Sequence, residues 1–112
     1  MDERQALACF GALSQETRLR IVRLLVQAGP DGVAAGTVGE KVGVSASNVS
    51  FHLKELANAG LINAVQAGRF IYYAANYKTM NGLVDYLTRN CCQGSACDIA
   101  CAPILERKRK GS

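Results

Sequence analysis

Four cysteines fall within eleven positions of this chain: Cys91, Cys92, Cys97 and Cys101. In a reducing compartment such a cluster reads as a metal or redox site before it reads as a disulfide framework. Neighbouring cysteines close only a strained ring with each other, yet both can ligate one soft ion. Gly94 lets the chain turn back, so that Cys97 can approach the pair. Thiolates select thiophilic species over hard cations. Three sulfurs, from Cys91, Cys92 and one later cysteine, suit a pyramidal centre such as As(III) or Sb(III). All four suit tetrahedral Zn(II) or Cd(II). The same thiols without a metal make a redox switch, or simply a reactive tail. The fifth cysteine, Cys9, sits in an apolar helical stretch and reads as a small buried hydrophobe.

A second group of residues suits nucleic acid. Ser45 is an N-cap signal for a helix over 46–59 whose inward positions are Val49, Leu53 and Leu56. The opposite face near its start carries Ser47, Asn48, Ser50 and Phe51. The first turns of a recognition helix are the ones that reach base edges, and free N–H groups there favour phosphate. Phe51 can meet a thymine methyl. Lys54 and Arg69 are placed to hold phosphates, with Arg69 also able to enter a minor groove. His52 suits either a DNA contact or a hydrogen bond between helix and hairpin. A plain amphipathic helix with a serine cap remains the bland reading of this helix taken alone.

The elements that must position these groups follow from periodicity. Residues 3–13 carry Leu7, Phe10 and Leu13 at helical spacing. Ser14 offers an N-cap for a helix over 15–28 with a broad apolar stripe, which Gly29-Pro30 ends. Residues 29–36 read as loop, and 35–43 as a short helix with Val38 and Val42 inward. Gly60 closes the helix over 46–59. Residues 61–66 and 69–75 are rich in Ile, Val, Phe and Tyr around Ala67-Gly68, which predicts a hairpin with Arg69 at its tip. Helical spacing returns over 77–90 with Met80, Leu83, Val84 and Leu87, and one further turn reaches Cys91. The fold class is mainly α with a small β-hairpin: a winged helix-turn-helix. The apolar stripes of the first and last helices suggest a homodimer reading a two-fold DNA operator. Residues 1–90 form the DNA-binding and dimerisation domain, and 91–112 a cysteine-rich segment with a basic tail.

Composition bounds the rest. The chain is 112 residues long, 49% hydrophobic and 20% charged, which excludes a disordered protein. Thirteen Lys and Arg against nine acids leave +4. Most of that excess lies in Arg107, Lys108, Arg109 and Lys110, so any DNA binding by the body must come from local placement. No apolar run is long enough to span a bilayer, and the start lacks the pattern of a signal peptide, so a cytoplasmic location is expected. No glycine-rich phosphate loop and no acid/base pair point to an enzyme, and nothing calls for an organic cofactor.

Four stretches together carry a family resemblance: Ser14-Gln15-Glu16-Thr17-Arg18-Leu19-Arg20-Ile21, Ser45 to Leu56, Ala59-Gly60-Leu61-Ile62, and Gly68-Arg69-Phe70-Ile71-Tyr72-Tyr73. Over residues 5–92 the chain resembles the ArsR/SmtB winged-helix metalloregulators. The resemblance implies a homodimeric repressor that leaves double-stranded operator DNA when metal or metalloid binds. The thiol run that the family places at its third helix falls at Val33-Ala34-Ala35, without cysteine. The zinc site of its last helix needs Asp and His pairs, and here Asp85 stands without a histidine. Asn90-Cys91-Cys92 followed by Cys97 is similar to the As(III)-responsive members, and Cys101 adds a second choice of third ligand. Position 46, often a base-contacting glutamine in the family, is Ala46.

Overall fold

The computed structural model describes residues 1–94. Its first helix, α1, spans Glu3–Leu13 and begins where the Asp2 carboxylate accepts from the Gln5 amide at 2.8 Å. The second, α2, spans Glu16–Ala28. Its cap is Gln15, whose side-chain oxygen accepts from the Arg18 amide at 2.8 Å. Ser14, expected to be that cap, instead donates its hydroxyl to the Gly11 carbonyl at 2.9 Å. Only two residues separate the helices, and Ser14 closes the last turn of α1, leaving Gln15 to open α2.

The stretch 29–36, read as loop, holds a two-residue strand β1, Val33–Ala34, before α3, Ala35–Val42. Strand β1 pairs antiparallel with a strand some forty residues later, at Val33↔Tyr73 and Ala34↔Tyr72. Two residues carry no periodicity, so the pairing is a tertiary outcome. Gly43 ends α3 in the left-handed region at φ 76°, and α4 spans Ala46–Asn58 with the Ser45 hydroxyl accepting from the Asn48 amide at 3.3 Å. These two helices and their tight turn form the helix-turn-helix. The hairpin follows directly as β2, Ile62–Ala67, and β3, Phe70–Ala75, joined by Gly68-Arg69. The sheet order is β1-β3-β2.

The core lies where α2, α3 and α4 meet the base of the hairpin. Ile21, Leu25, Val38, Leu53, Leu56 and Leu61 are all fully buried. Each such side chain contributes about 1.5–3 kcal/mol by leaving water. The last helix, α5, spans Tyr77–Thr88 and buries only Leu83. Leu7 and Phe10 on α1, and Val84 and Leu87 on α5, remain exposed on a single chain.

Glycine 32 shows what the turn into β1 demands. Its φ is +83°, and a Cβ there would stand 2.8 Å from the Tyr73 carbonyl oxygen. Gly11 is the opposite case: it lies inside α1, and a Cβ there meets nothing within 4 Å. In urea unfolding, Gly32→Ala is expected to lose about 2 kcal/mol or more through backbone strain and clash. Gly11→Ala is expected to gain about 0.5–1 kcal/mol from helix propensity. Equal effects at the two positions would contradict the turn geometry.

Candidate nucleic-acid interface and thiol segment

Burial sets how α4 is rolled. Val49, Leu53 and Leu56 face the core. Ser45, Ser47, Asn48, Ser50, Phe51 and Lys54 are therefore all exposed. The start of α4 presents a row of short polar groups with one aromatic ring, as the sequence pattern anticipates. Arg69 is exposed in the turn of the wing.

His52 sits at the edge of the buried stripe and is half-buried. Its Nδ1 lies 3.3 Å from a guanidinium nitrogen of Arg18, and its ring meets Phe51 edge-on at a centroid distance of 5.5 Å. A guanidinium only donates, so Nδ1 accepts and the ring proton is assigned to Nε2. The hydrogen-bond partner of His52 is thus on α2 and not on the hairpin, which was one of the two roles its sequence position suggested. Arg18 also donates from Nε to the Ala12 carbonyl at 2.8 Å. One side chain therefore joins the end of α1, the start of α2 and the reading helix. Nothing in the local pattern around Arg18 signals this, because its partners are six and thirty-four residues away.

A second feature was legible in the sequence but hidden by the net charge. Between Glu40 and Asp85 the only acid is Glu55, while Lys41, Lys54, Arg69 and Lys78 are cations. This stretch contains the turn of the helix-turn-helix, the reading helix and the wing. A polyanion therefore meets little repulsion here, even though the body as a whole is nearly neutral.

The thiols lie on a different part of the fold. Helix α5 stops at Thr88, two residues short of the expected end at residue 90. The Thr88 hydroxyl donates to the Val84 carbonyl at 2.9 Å, and the Arg89 guanidinium lies over the Tyr86 ring at 5.1 Å while donating to the Met1 carbonyl at 3.3 Å. Asn90 then turns left-handed at φ 58°, a conformation asparagine tolerates. Cys91–Gly94 form a short 3-10 turn, with Cys92 also at φ 58°. The pair thus stands on a separate turn beyond the helix, Cys91 half-buried and Cys92 exposed. Among the described residues no group of three or more His, Cys, Asp or Glu stands together to hold a metal. Cys97 and Cys101, the further expected ligands, lie outside the described residues, as does the basic tail.

Cys9 is fully buried, and its thiol donates to the Ala59 carbonyl at 3.3 Å. Desolvation pushes its pKa up. It is a packing residue pinning α1 to the end of α4, as expected.

A helix-turn-helix with an exposed polar reading face, a cation-tipped wing and an acid-poor surface defines a winged-helix DNA-binding regulator. The comparisons agree. A helix-turn-helix domain family matches residues 13–65. The chain is 39% identical over 75 residues to the arsenical resistance operon repressor of Bacillus subtilis, covering 67% of this chain and 70% of that one. It superposes with an ArsR-like transcriptional regulator from Rhodococcus sp. RHA1 at TM-score 0.70 and 24% identity, over 97% of this chain and 94% of that one. It also superposes with the homodimeric winged helix-turn-helix domain of a possible ArsR-family regulator from Mycobacterium bovis. There the TM-score is 0.62 at 23% identity, over 85% of this chain and 88% of that one. The chain belongs to the ArsR family of winged-helix transcriptional regulators and is a transcriptional repressor of that type. Family and fold are those of DNA-binding regulators rather than enzymes. No helix among the described residues is long and apolar enough to cross a membrane.

Two outcomes test these contacts. Arg18→Met keeps the aliphatic stem but leaves the Ala12 carbonyl and His52 nitrogen without their donor, and is expected to cost about 1–3 kcal/mol in urea unfolding. His52→Asn restores an acceptor near the Nδ1 position and should cost less than His52→Leu. Thiol labelling separates the cysteines. In the folded protein Cys9 should react with a thiol reagent only after unfolding, while Cys92 reacts at once. Because the Cys9 thiol ionises more easily once unfolded, its contribution to stability is full below the ordinary thiol pKa and declines as pH rises through and above it.

Proposed function

We propose that this repressor pairs with a second copy through α1 and α5, reads a two-fold operator with two α4 helices, and is released by As(III) or Sb(III). The observation that carries the proposal is the position of the adjacent thiols Cys91 and Cys92. They come directly after the helix whose exposed Val84 and Leu87 lack a partner in one chain. The homodimeric neighbour supports the pairing, and the arsenical repressor relative supports the effector.

In this reading Ser45, Ser47, Asn48, Ser50, Phe51 and His52 meet base edges or nearby phosphates, and Lys54 and Arg69 hold the backbone. Cys91, Cys92 and Cys97 ligate the metalloid. Arsenite, As(OH)3, exchanges three hydroxides for three thiolates, and the three thiol protons leave with them as water. Ligation ties the segment beyond Gly94 to the end of α5. Because α5 is the pairing helix, the spacing of the two reading helices responds. The effector shifts the equilibrium only by binding the DNA-free arrangement more tightly, typically by about 1–3 kcal/mol of coupling. The cytoplasm is the compartment in which such a repressor meets its DNA with its thiols reduced.

Fluorescence anisotropy of the reduced protein on DNA from upstream of its own gene tests this. Arsenite should release the protein, and Cys91→Ser should abolish that release. Cys101→Ser should leave it intact. Release by Zn(II) alone, lost in Cys101→Ser, would move the assignment to a four-thiolate sensor of Zn(II), Cd(II) or Pb(II). Release by peroxide with chelator present, and not by arsenite, would make the segment a redox switch.

A further inference from the structure

Helices α2 and α3 enclose a groove that shares no residue with the reading row of α4, the wing or the Cys91–Cys92 turn. Its volume is about 590 Å³, within the range of small-molecule sites. Leu19, Leu24 and Val42 give it an apolar lining, and Arg20, Arg23 and Lys41 stand among them. The four α2 residues recur at i, i+1, i+4 and i+5, so they share one face of the helix. The buried Ile21, Val22 and Leu25 hold the opposite face to the core. Leu24 and Val42 are partly buried against that core, while Leu19 is 48% exposed. The apolar lining therefore runs from the packed interior out to solvent.

Charge selects the occupant. Every ionisable side chain that lines the groove is a cation. Arg20 is paired with Glu16 at 2.7 Å across one turn of α2, and both are exposed. Among the described residues Arg23 and Lys41 make no ion pair. A phosphodiester backbone is polar along its whole length and gains nothing from three apolar side chains. An anion with a hydrocarbon body uses both halves of the lining. A carboxylate accepts two parallel N–H donors from one guanidinium, and a lysine adds a point charge beside it.

We infer that the α2–α3 groove binds a small amphiphilic carboxylate. Arg23 and Lys41 hold its head, and its hydrocarbon chain lies along Leu19, Leu24 and Val42. The site goes beyond the thiol reading and does not depend on it. Val42 leads directly into Gly43, which ends α3 at the turn of the helix-turn-helix. The ligand thus lies one residue from the joint that carries the reading helix, at a second input separate from the cysteines.

The experiment titrates the full-length reduced chain, isotope-labelled for amide spectra, with sodium decanoate. Saturable shifts are expected at residues 19–27 and 41–43. Acetate, which has the head without the chain, should give none there. Decyltrimethylammonium, which has the chain with the opposite charge, should also give none. Leu19, Arg23 and Lys41 are exposed, so their replacement leaves the core intact. Arg23→Gln, Lys41→Gln and Leu19→Asn are each expected to weaken decanoate binding about fivefold. Wild-type affinity in all three variants would overturn the site. So would equal binding of the decyl cation, or shifts centred on α1 and α5 instead. Two further outcomes would reassign the cations and overturn the inference. One is no decanoate shift together with a shallower salt dependence of DNA binding in Arg23→Gln, which would give them to phosphates. The other is no decanoate shift together with co-sedimentation on phosphatidylglycerol vesicles, which would give them to a lipid surface.

Discussion

Leu53 and Leu56 seat the reading helix against Ile21 and Leu25, and all four side chains are fully buried. A helix turns by about 100° per residue, so moving this stripe by one position would swing the polar row of α4 away from its exposed side. Truncating either leucine removes about 2–5 kcal/mol from a chain with a small core. The direction in which Ser47, Asn48 and Ser50 point is therefore a consequence of packing. Arg18 adds a polar constraint to this apolar one. Its bonds to Ala12 and His52 tie α4 to the junction of α1 and α2.

The same packing separates two jobs along the chain. The region from α3 to β3 holds the residues proposed to face DNA. Helices α1 and α5 leave apolar side chains uncovered and bracket that region from both ends of the described sequence. The hairpin belongs to both halves. Leu61, Ile62 and Ala75 bury its base in the core, while its outer half projects with Val65 and Phe70 exposed. In the proposed dimer, a change in how two copies sit across α1 and α5 would be passed to α4 and the wing through this shared core.

Much of this was legible in the sequence because it rests on local chemistry. Ser45 caps α4 as its type and position suggest, and Gly68-Arg69 turns the hairpin. Cys9 is buried as an apolar stretch implies. The misses are tertiary or competitive. Strand β1 is too short to show a period and exists only because β3 lies beside it. Ser14 and Gln15 were both able to cap, and the shortness of the α1–α2 junction decided between them. Helix α5 carries apolar spacing up to Leu87, but the backbone leaves the helix at Arg89, whose ψ is 132°. The acid-poor span from Lys41 to Val84 was readable throughout, yet a whole-chain charge of +4 conceals it. The reach of Arg18 across thirty-four positions to His52 had no local signal.

The left-handed joint at Asn90 has a bearing on how such a repressor diversifies. Beyond it the thiol turn is attached to the body by one backbone reversal, and Cys92 is exposed. Substitutions on this turn, Cys91–Gly94, lie outside the buried stripe of Leu53 and Leu56. In the proposed reading, chemical preference can thus drift quickly on the thiol turn, while the surface that would choose an operator inherits the slower pace of a packed interior. A lineage built this way can acquire a new toxicant before it acquires a new promoter.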